Sequence, residues 1–332
     1  MTVPTPSGVE ITRDDIEQAA RRIAGHIRRT PILDMGAGPG ECRLSLKLDL
    51  LQPTGSFKIR GATSLLTAHP EARRVVTASG GNFGLAIAHA ASRLGVGADI
   101  FVPATSPPVK AARIRAAGAE VHIVDGHYAE ALAAAEQFES GGDVLFAHAY
   151  DQAEVVAGQG TCGREIATQD PDVDTVVVAV GGAGLIGGIA SWFRDDVRIV
   201  AAETHGTATL HAALAAGHPV VVAVGGLAAD SLGASEVGRY GFEASRRWVD
   251  EVCLVSDEDV RSAQRWLWSE VRLIAEPGGA AALAAVLSGA YRTEPDERVC
   301  VLVCGANTDP SVVAGLGDHE GRVSSNMHQP SS

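Results

Sequence analysis

Thr175 to Phe193 reads TVVVAVGGAGLIGGIASWF, nineteen residues without a charge. That is close to the roughly 20 apolar residues of a membrane span. However, β-branched residues fill its first third and five glycines its middle, which reads as a buried strand, a tight turn and a helix. The turn holds Gly182-x-Gly184-x-x-Gly187, and Glu203 closes the next apolar run about twenty residues on, the spacing of a dinucleotide fingerprint. The loop serves equally as a cup for another phosphate, because small residues let backbone N–H groups approach an anion at a helix N-terminus. It could also be a strand-to-helix turn with no ligand.

Similar strand-like runs recur on both sides of this stretch. They are VVTAS (75–79), ADIFVP (98–103), EVHIVD (120–125), VLFAHA (144–149), RIVAAE (198–203), EVCLVS (251–256) and RVCVLVCG (298–305). With TVVVAV (175–180) they make eight, and alanine-rich segments such as SPPVKAARIRAAGAE and YAEALAAAEQFES lie between them. That alternation predicts parallel sheets covered by helices on both faces. The runs are apolar throughout, as strands buried on two sides are. Eight runs exceed one comfortable open sheet, and the first four form a compact set. The expectation is therefore two α/β domains with mainly parallel twisted sheets and a ligand in the cleft between them. Thr12 and Asp15 are spaced as a capping box, so a helix should open the fold. The end, GDHEGRVSSNMHQPSS, is polar and expected to fray.

Composition narrows the function classes. The 332 residues are 46% apolar with a formal net charge of −13. The acidic balance argues against nucleic acid and anionic membrane as partners. The start, MTVPTPSGVEITRDD, has no basic region before an apolar one and so reads as lacking a secretory signal. Five cysteines, Cys42, Cys162, Cys253, Cys300 and Cys304, include no CxxC pair; an odd count suggests reduced thiols and a cytoplasmic location.

Two further segments carry chemistry. TASGGNFGLAIAHAA follows the run 75–79 and opens a helix, so Ser79, Gly80, Gly81 and Asn82 offer a hydroxyl, free N–H groups and an amide at its start. Such a nest suits a carboxylate. QPTGSFKIRGA (52–62) sets Lys58 between Phe57 and Ile59 within a run of turn formers, an unusual setting for a lysine that only solubilises a surface. A phosphate cup and a carboxylate nest together describe an enzyme with a phosphorylated cofactor and an amino- or keto-acid substrate. A nicotinamide enzyme would leave Lys58 and the second nest without a task.

These segments, with EVVAGQGT (154–161), EPGGAAALAA (276–285) and CGAN (304–307) in order, resemble the threonine/serine dehydratase group of the fold-type II, tryptophan synthase β-like pyridoxal 5′-phosphate (PLP) enzymes. The likeness runs from residue 12 to about 310. It implies a large cofactor-binding domain from residues 1–65 and 151–316, a small domain from 66–150 and a flexible tail, 317–332. It implies that Lys58 forms an imine with the PLP aldehyde and that Asn82 meets the ring hydroxyl. Gly181, Gly182, Ala183, Gly184 and Leu185 would cup the phosphate, and Ser79, Gly80, Gly81, Asn82 and Phe83 would line the substrate side. Cys304 stands where relatives put a hydroxyl or thiol against the pyridine nitrogen, and Glu276 falls near the ring edge. An acidic residue before Pro277 is equally good as a helix-capping feature. The implied reaction is elimination of water from serine, threonine or an analogue, giving a 2-oxo acid and ammonia, in a homodimer.

Three departures qualify the likeness. Serine racemases of the group carry a second serine where this chain has Gly80, which has no proton to give. The usual histidine after the asparagine is Phe83, an apolar wall that bears on which β-substituent fits. Glu203 matches one acidic ligand of a divalent-cation site found in some relatives, but Thr209 replaces the aspartate, so no metal is assigned. The alternatives are a sibling enzyme acting on hydroxyaspartate, aryl-serine or sulfur- or acetyl-serine substrates, an NAD-dependent dehydrogenase, and a non-catalytic binding protein of the same fold. No appended regulatory domain is expected.

Overall fold

The computed structural model describes residues 9–139 and 144–309; the start of the chain and the polar end 317–332 lie outside them. Ten strands run through these residues: β1 (Ile32–Ala37), β2 (Arg43–Lys47), β3 (Arg74–Ala78), β4 (Gly97–Pro103), β5 (Glu120–Val124), β6 (Val144–Phe146), β7 (Thr175–Ala179), β8 (Arg198–Thr204), β9 (Glu251–Val255) and β10 (Arg298–Leu302). The last eight fall on the eight apolar runs. β1 and β2 were not anticipated; they form an antiparallel hairpin at one edge.

β3 to β6 make a four-stranded parallel sheet in the order β5-β4-β3-β6. The other six make a second sheet in the order β1-β2-β10-β7-β8-β9, parallel except for the β1–β2 pair. β7 leads on to β8 and β9 on one side, whereas β10 is inserted on its other side. Loops leaving β7 and β10 therefore diverge, and they open a crevice at the strands' carboxyl ends. Among the described residues no helix is long and apolar enough to cross a membrane. Thr175–Phe193 divides into β7, a glycine turn and the helix Gly184–Phe193. The opening helix, Arg13–Ile23, has the expected capping box: Thr12 Oγ1 accepts from the Asp15 N–H, and the Asp15 carboxylate accepts from the Thr12 N–H.

The helix Ala153–Gln169, which contains EVVAGQGT, packs against the helix Lys58–Ala68 and against Gly184–Phe193. A Cβ at Gly158 would lie 2.7 Å from the Arg60 carbonyl, and one at Gly188 would lie 2.4 Å from the Val156 carbonyl. Glycine at these crossings lets the three backbones touch, which sets the helix of Lys58 against that of the 181–184 loop.

A buried ionic cluster holds the Lys58 helix from beneath. The Arg60 guanidinium, fully buried, donates to both Asp49 carboxylate oxygens at 2.8 and 2.7 Å and to Glu165 at 2.9 Å. The equally buried Lys47 ammonium donates to Glu165 at 2.7 Å, to Gln169 at 2.8 Å and to the Thr30 carbonyl at 2.7 Å. Two cations and two anions balance, which is the condition under which buried charge is tolerated. Burial pushes the Asp49 carboxyl up, but the guanidinium outweighs it and holds the group below its ordinary value.

Candidate functional site

The segment 52–58 runs along the end of β10. The Leu50 N–H donates to the Val303 carbonyl, the Phe57 N–H to the Cys304 carbonyl, and Ser56 pairs with Gly305. Lys58 thus begins its helix beside Cys304 and faces a cavity of about 780 Å³ between the two sheets. Every residue singled out in the sequence as a site residue lines it: Lys58, Ser79, Gly80, Gly81, Asn82, Phe83, Gly181, Gly182, Ala183, Gly184, Leu185, Glu276 and Cys304.

The chain has three lysines, and their surroundings differ. Lys47 is locked in the ionic cluster, and Lys110, also on the cavity wall, is paired with Asp230. Among the described residues the Lys58 amine has no carboxylate partner. It donates to the Ala149 carbonyl at 2.9 Å and lies 5.1 Å from the ring centre of Phe57 and 5.8 Å from that of Phe83. Burial lowers its pKa to about 8, opposed by the neighbouring Cys304 and Glu276 side chains. Such an amine is half neutral at about pH 8, more than two units below an ordinary lysine.

Two loops with free donors face the cavity. Among the described residues, none of the backbone N–H groups from Gly181 to Ile186 has a hydrogen-bond acceptor. Ala183 sits in the left-handed region at φ 63°, and Gly182 packs so closely on Tyr150 that a Cβ would lie 2.4 Å from its Cγ. Successive N–H groups turned inward at a helix start form an anion nest. In the second loop the N–H groups of Gly80, Asn82 and Phe83 are likewise unpartnered, and the Gly81 N–H meets its neighbour Ser79 Oγ at 3.4 Å. A Cβ at Gly80 would lie 2.7 Å from Ser106 Oγ, so Ser106 occupies the room a side chain there would need.

Glu276 precedes the helix Pro277–Leu287, but its side chain makes no capping bond. Its Oε1 instead accepts from Asn82 Nδ2 at 2.6 Å. Burial pushes this carboxyl up to about 7 although the Asn82 bond pulls it down. The Cys304 thiol donates weakly to the Gly278 carbonyl at 3.6 Å, and burial together with Glu276 pushes its pKa well up, so it stays a neutral thiol. Glu203 is spent elsewhere: its two oxygens accept from the Leu210 N–H at 2.7 Å and the His211 N–H at 2.8 Å. Burial places it at about 7 against the pull of those N–H groups. A carboxylate so occupied is not free to meet a ribose, which removes one leg of the dinucleotide reading. All five cysteines are buried and separate.

Sequence reasoning missed Asn307, Tyr150 and Asp230. Asn307 Nδ2 donates to Asn82 Oδ1 at 2.7 Å; its signal was present as the last residue of CGAN. Tyr150 forms the wall against Gly182, its pKa raised to about 12 by burial and by Tyr128. Nothing in its local sequence marks it.

A family model described as pyridoxal-phosphate dependent enzyme matches residues 23–305. The chain is 36% identical over 307 residues to an L-threonine ammonia-lyase of Geobacter sulfurreducens, covering 90% of this chain and 76% of that one. It is 34% identical over 308 residues to a phenylserine dehydratase of Ralstonia pickettii, covering 89% and 94%. Among solved structures, maize serine racemase superposes with a TM-score of 0.86 at 29% identity, covering 92% of this chain and 96% of that one. The amine, the two anion nests and these likenesses agree, and the chain belongs to the pyridoxal-phosphate-dependent enzymes, in their threonine and serine dehydratase group.

Proposed function

We propose that the protein is a lyase that eliminates water from a β-hydroxy-α-amino acid, serine and threonine being the first candidates, and yields a 2-oxo acid and ammonia. One observation carries this reading: the Lys58 amine, which among the described residues has no carboxylate partner, lies in one cavity with two loops whose N–H groups are unpartnered among those residues. The cofactor fits what is there. The six free donors of 181–186 suit its phosphate, and a Cβ at Gly182 would collide with the Tyr150 ring beside that loop. Lys58 would hold it covalently, Asn82 would donate to its ring oxygen, Cys304 would face its ring nitrogen, and Glu276 would stand at the ring edge.

Bound there, pyridoxal phosphate supplies an electron sink for the substrate's α-carbon. The Gly80, Asn82 and Phe83 N–H groups, with the Ser79 hydroxyl, would hold the substrate carboxylate. The Lys58 amine, neutral above about pH 8, would take the α-proton at Nζ. The neutral Cys304 thiol is a weak partner for a ring nitrogen, which favours prompt loss of the β-hydroxyl over long-lived charge at the α-carbon. Gly80 offers no proton to the opposite face, which favours elimination over racemisation. In this reading residues 1–65 and 151–316 form the cofactor-holding domain and 66–150 the smaller one. A homodimer in the cytoplasm is the accompanying proposal.

A second reading, a β-aryl substrate, is favoured by the aromatic wall: Phe57, Phe83, Tyr128 and Tyr150 all line the cavity, and one relative is a phenylserine dehydratase. Among the described residues that line the cavity, the ammonium and guanidinium groups are Lys58 and the Asp230-bound Lys110, and His127 adds one imidazole, so a second carboxylate, as in hydroxyaspartate, meets no free ammonium or guanidinium besides Lys58. The test is 2-oxo acid release from serine, threonine, hydroxyaspartate and phenylserine. Release from the first two supports the main reading, a marked preference for phenylserine supports the second, and inertness toward all four contradicts both.

A further inference from the structure

Asn307 is anchored by two groups whose hydrogen-bonding character is not in doubt. Its Nδ2 donates to the Thr54 carbonyl at 2.8 Å, and its Oδ1 accepts from the Arg113 guanidinium at 2.8 Å. A carbonyl only accepts and a guanidinium only donates, so the Asn307 amide has one admissible orientation. Gly55, at φ 73°, brings the chain against its other side, where a Cβ would lie 2.7 Å from Asn307 Oδ1.

That orientation is passed on. The second N–H of Asn307 Nδ2 reaches Asn82 Oδ1 at 2.7 Å. With its oxygen engaged, Asn82 presents Nδ2, which gives one N–H to Glu276 at 2.6 Å and keeps the other on the cavity that Asn82 lines. Reversed, the Asn82 oxygen would face the Glu276 carboxylate. Arg113 belongs to the helix Pro108–Ala116, beside the four-stranded sheet, and Asn307 follows β10 of the six-stranded one. The series Arg113, Asn307, Asn82, Glu276 therefore crosses the cleft.

We propose that Asn307 is a positioning residue for the cofactor, which fixes the Asn82 amide so that a donor N–H points at the ring oxygen. The proposal rests on the reading of Asn82 given above. It assigns Asn307 no contact with substrate or cofactor; its effect travels through Asn82 alone.

The test is a double-mutant cycle read by cofactor affinity and by the visible absorption of the lysine-bound cofactor, not by turnover alone. Asn307→Ala is expected to raise the dissociation constant of pyridoxal 5′-phosphate about tenfold, the scale of one lost oriented hydrogen bond, and to shift the absorption maximum. Asn307→Asp keeps the shape but has no donor. It should do the same, and it stands in for the alanine variant if that fails to fold. Asn82→Ala combined with Asn307→Ala should bind no more weakly than Asn82→Ala alone. Full additivity of the two changes overturns the proposal. So does an Asn307→Asp protein whose affinity and absorption maximum match the wild type. If the wild-type protein shows no lysine-bound absorption, the reading of the site fails first and takes this proposal with it.

Discussion

Asn82 and Glu276, 194 residues apart in the chain, are joined by a 2.6 Å hydrogen bond beneath the cavity. Asn82 starts the helix after β3 in the four-stranded sheet, and Glu276 precedes the helix Pro277–Leu287, which packs on β7 and β8 of the other sheet. The bond ties the carboxylate nest to the helix that covers the six-stranded sheet. It leaves Glu276 close enough for its charge to raise the Lys58 pKa.

Glu276→Gln therefore changes how turnover depends on pH. The Lys58 amine accepts a proton only when neutral, so kcat should rise with pH through about 8. An ionised Glu276 stabilises the ammonium and holds that limb high, so its removal should move the limb to lower pH by about half a unit to one unit. A kcat profile that is unmoved, or moved upward, would show that the carboxylate does not act on this amine.

Gly182→Ala tests the phosphate cradle. The added Cβ would meet the Tyr150 ring at 2.4 Å, and a ring against a packed backbone has little freedom to retreat. Overpacking of this kind costs about 1–3 kcal/mol, so the dissociation constant of pyridoxal phosphate should rise about 10- to 100-fold. Titration of the apoenzyme by absorbance measures it, and wild-type affinity in the variant would place the phosphate elsewhere.

Arg60→Met should unfold the protein more easily without touching the cavity. It leaves Asp49 and Glu165 facing each other with only Lys47 between them, and breaking a buried pair on one side costs about 3–5 kcal/mol. Asp49 titrates below its ordinary value in the native state. Its stabilising contribution is complete above the unfolded pKa of about 3.9 and is lost as pH falls through the native one. Denaturant titrations at pH 7 and pH 3 should thus converge in the variant relative to wild type. An equal loss of stability at both pH values would assign the cost to packing alone.

Much of this arrangement could be read along the chain, and what could not has a common cause. The eight buried strands announced themselves because a strand covered on both faces must be apolar at every position. β1 and β2 did not: ILDMGA is an edge strand with exposed positions, and RLSLK, though buried from Leu44 to Lys47, breaks its leucines with a serine and the ion-paired Lys47. Lys58 and both nests were legible because a helix start, glycine freedom and a misplaced lysine are local signals. Asn307, Tyr150 and the Lys47–Asp49–Arg60–Glu165 cluster were not, because each acquires its meaning from partners 11 to 225 residues away. Glu276 lay between the two cases. Its sequence position suited a cap, and only the Asn82 contact shows where its carboxylate is used.

Tyr128→Ala addresses the aromatic wall. Tyr128 is 47% exposed yet lines the cavity, so its truncation should leave the fold intact. If the wall receives an aryl group, kcat/KM for phenylserine relative to serine should fall about tenfold, the scale of a lost contact in an apolar pocket. An unchanged ratio would direct the β-substituent away from Tyr128.

The central claim is that one amine holds the cofactor, and it is tested most directly by borohydride reduction of the holoenzyme followed by peptide mass analysis. Only Lys47, Lys58 and Lys110 can be labelled, and two of them are engaged in ion pairs. A pyridoxyl group on Lys58 alone, absent from Lys58→Ala, is the predicted result. A label on Lys110 or Lys47, or none on any lysine, would contradict the account.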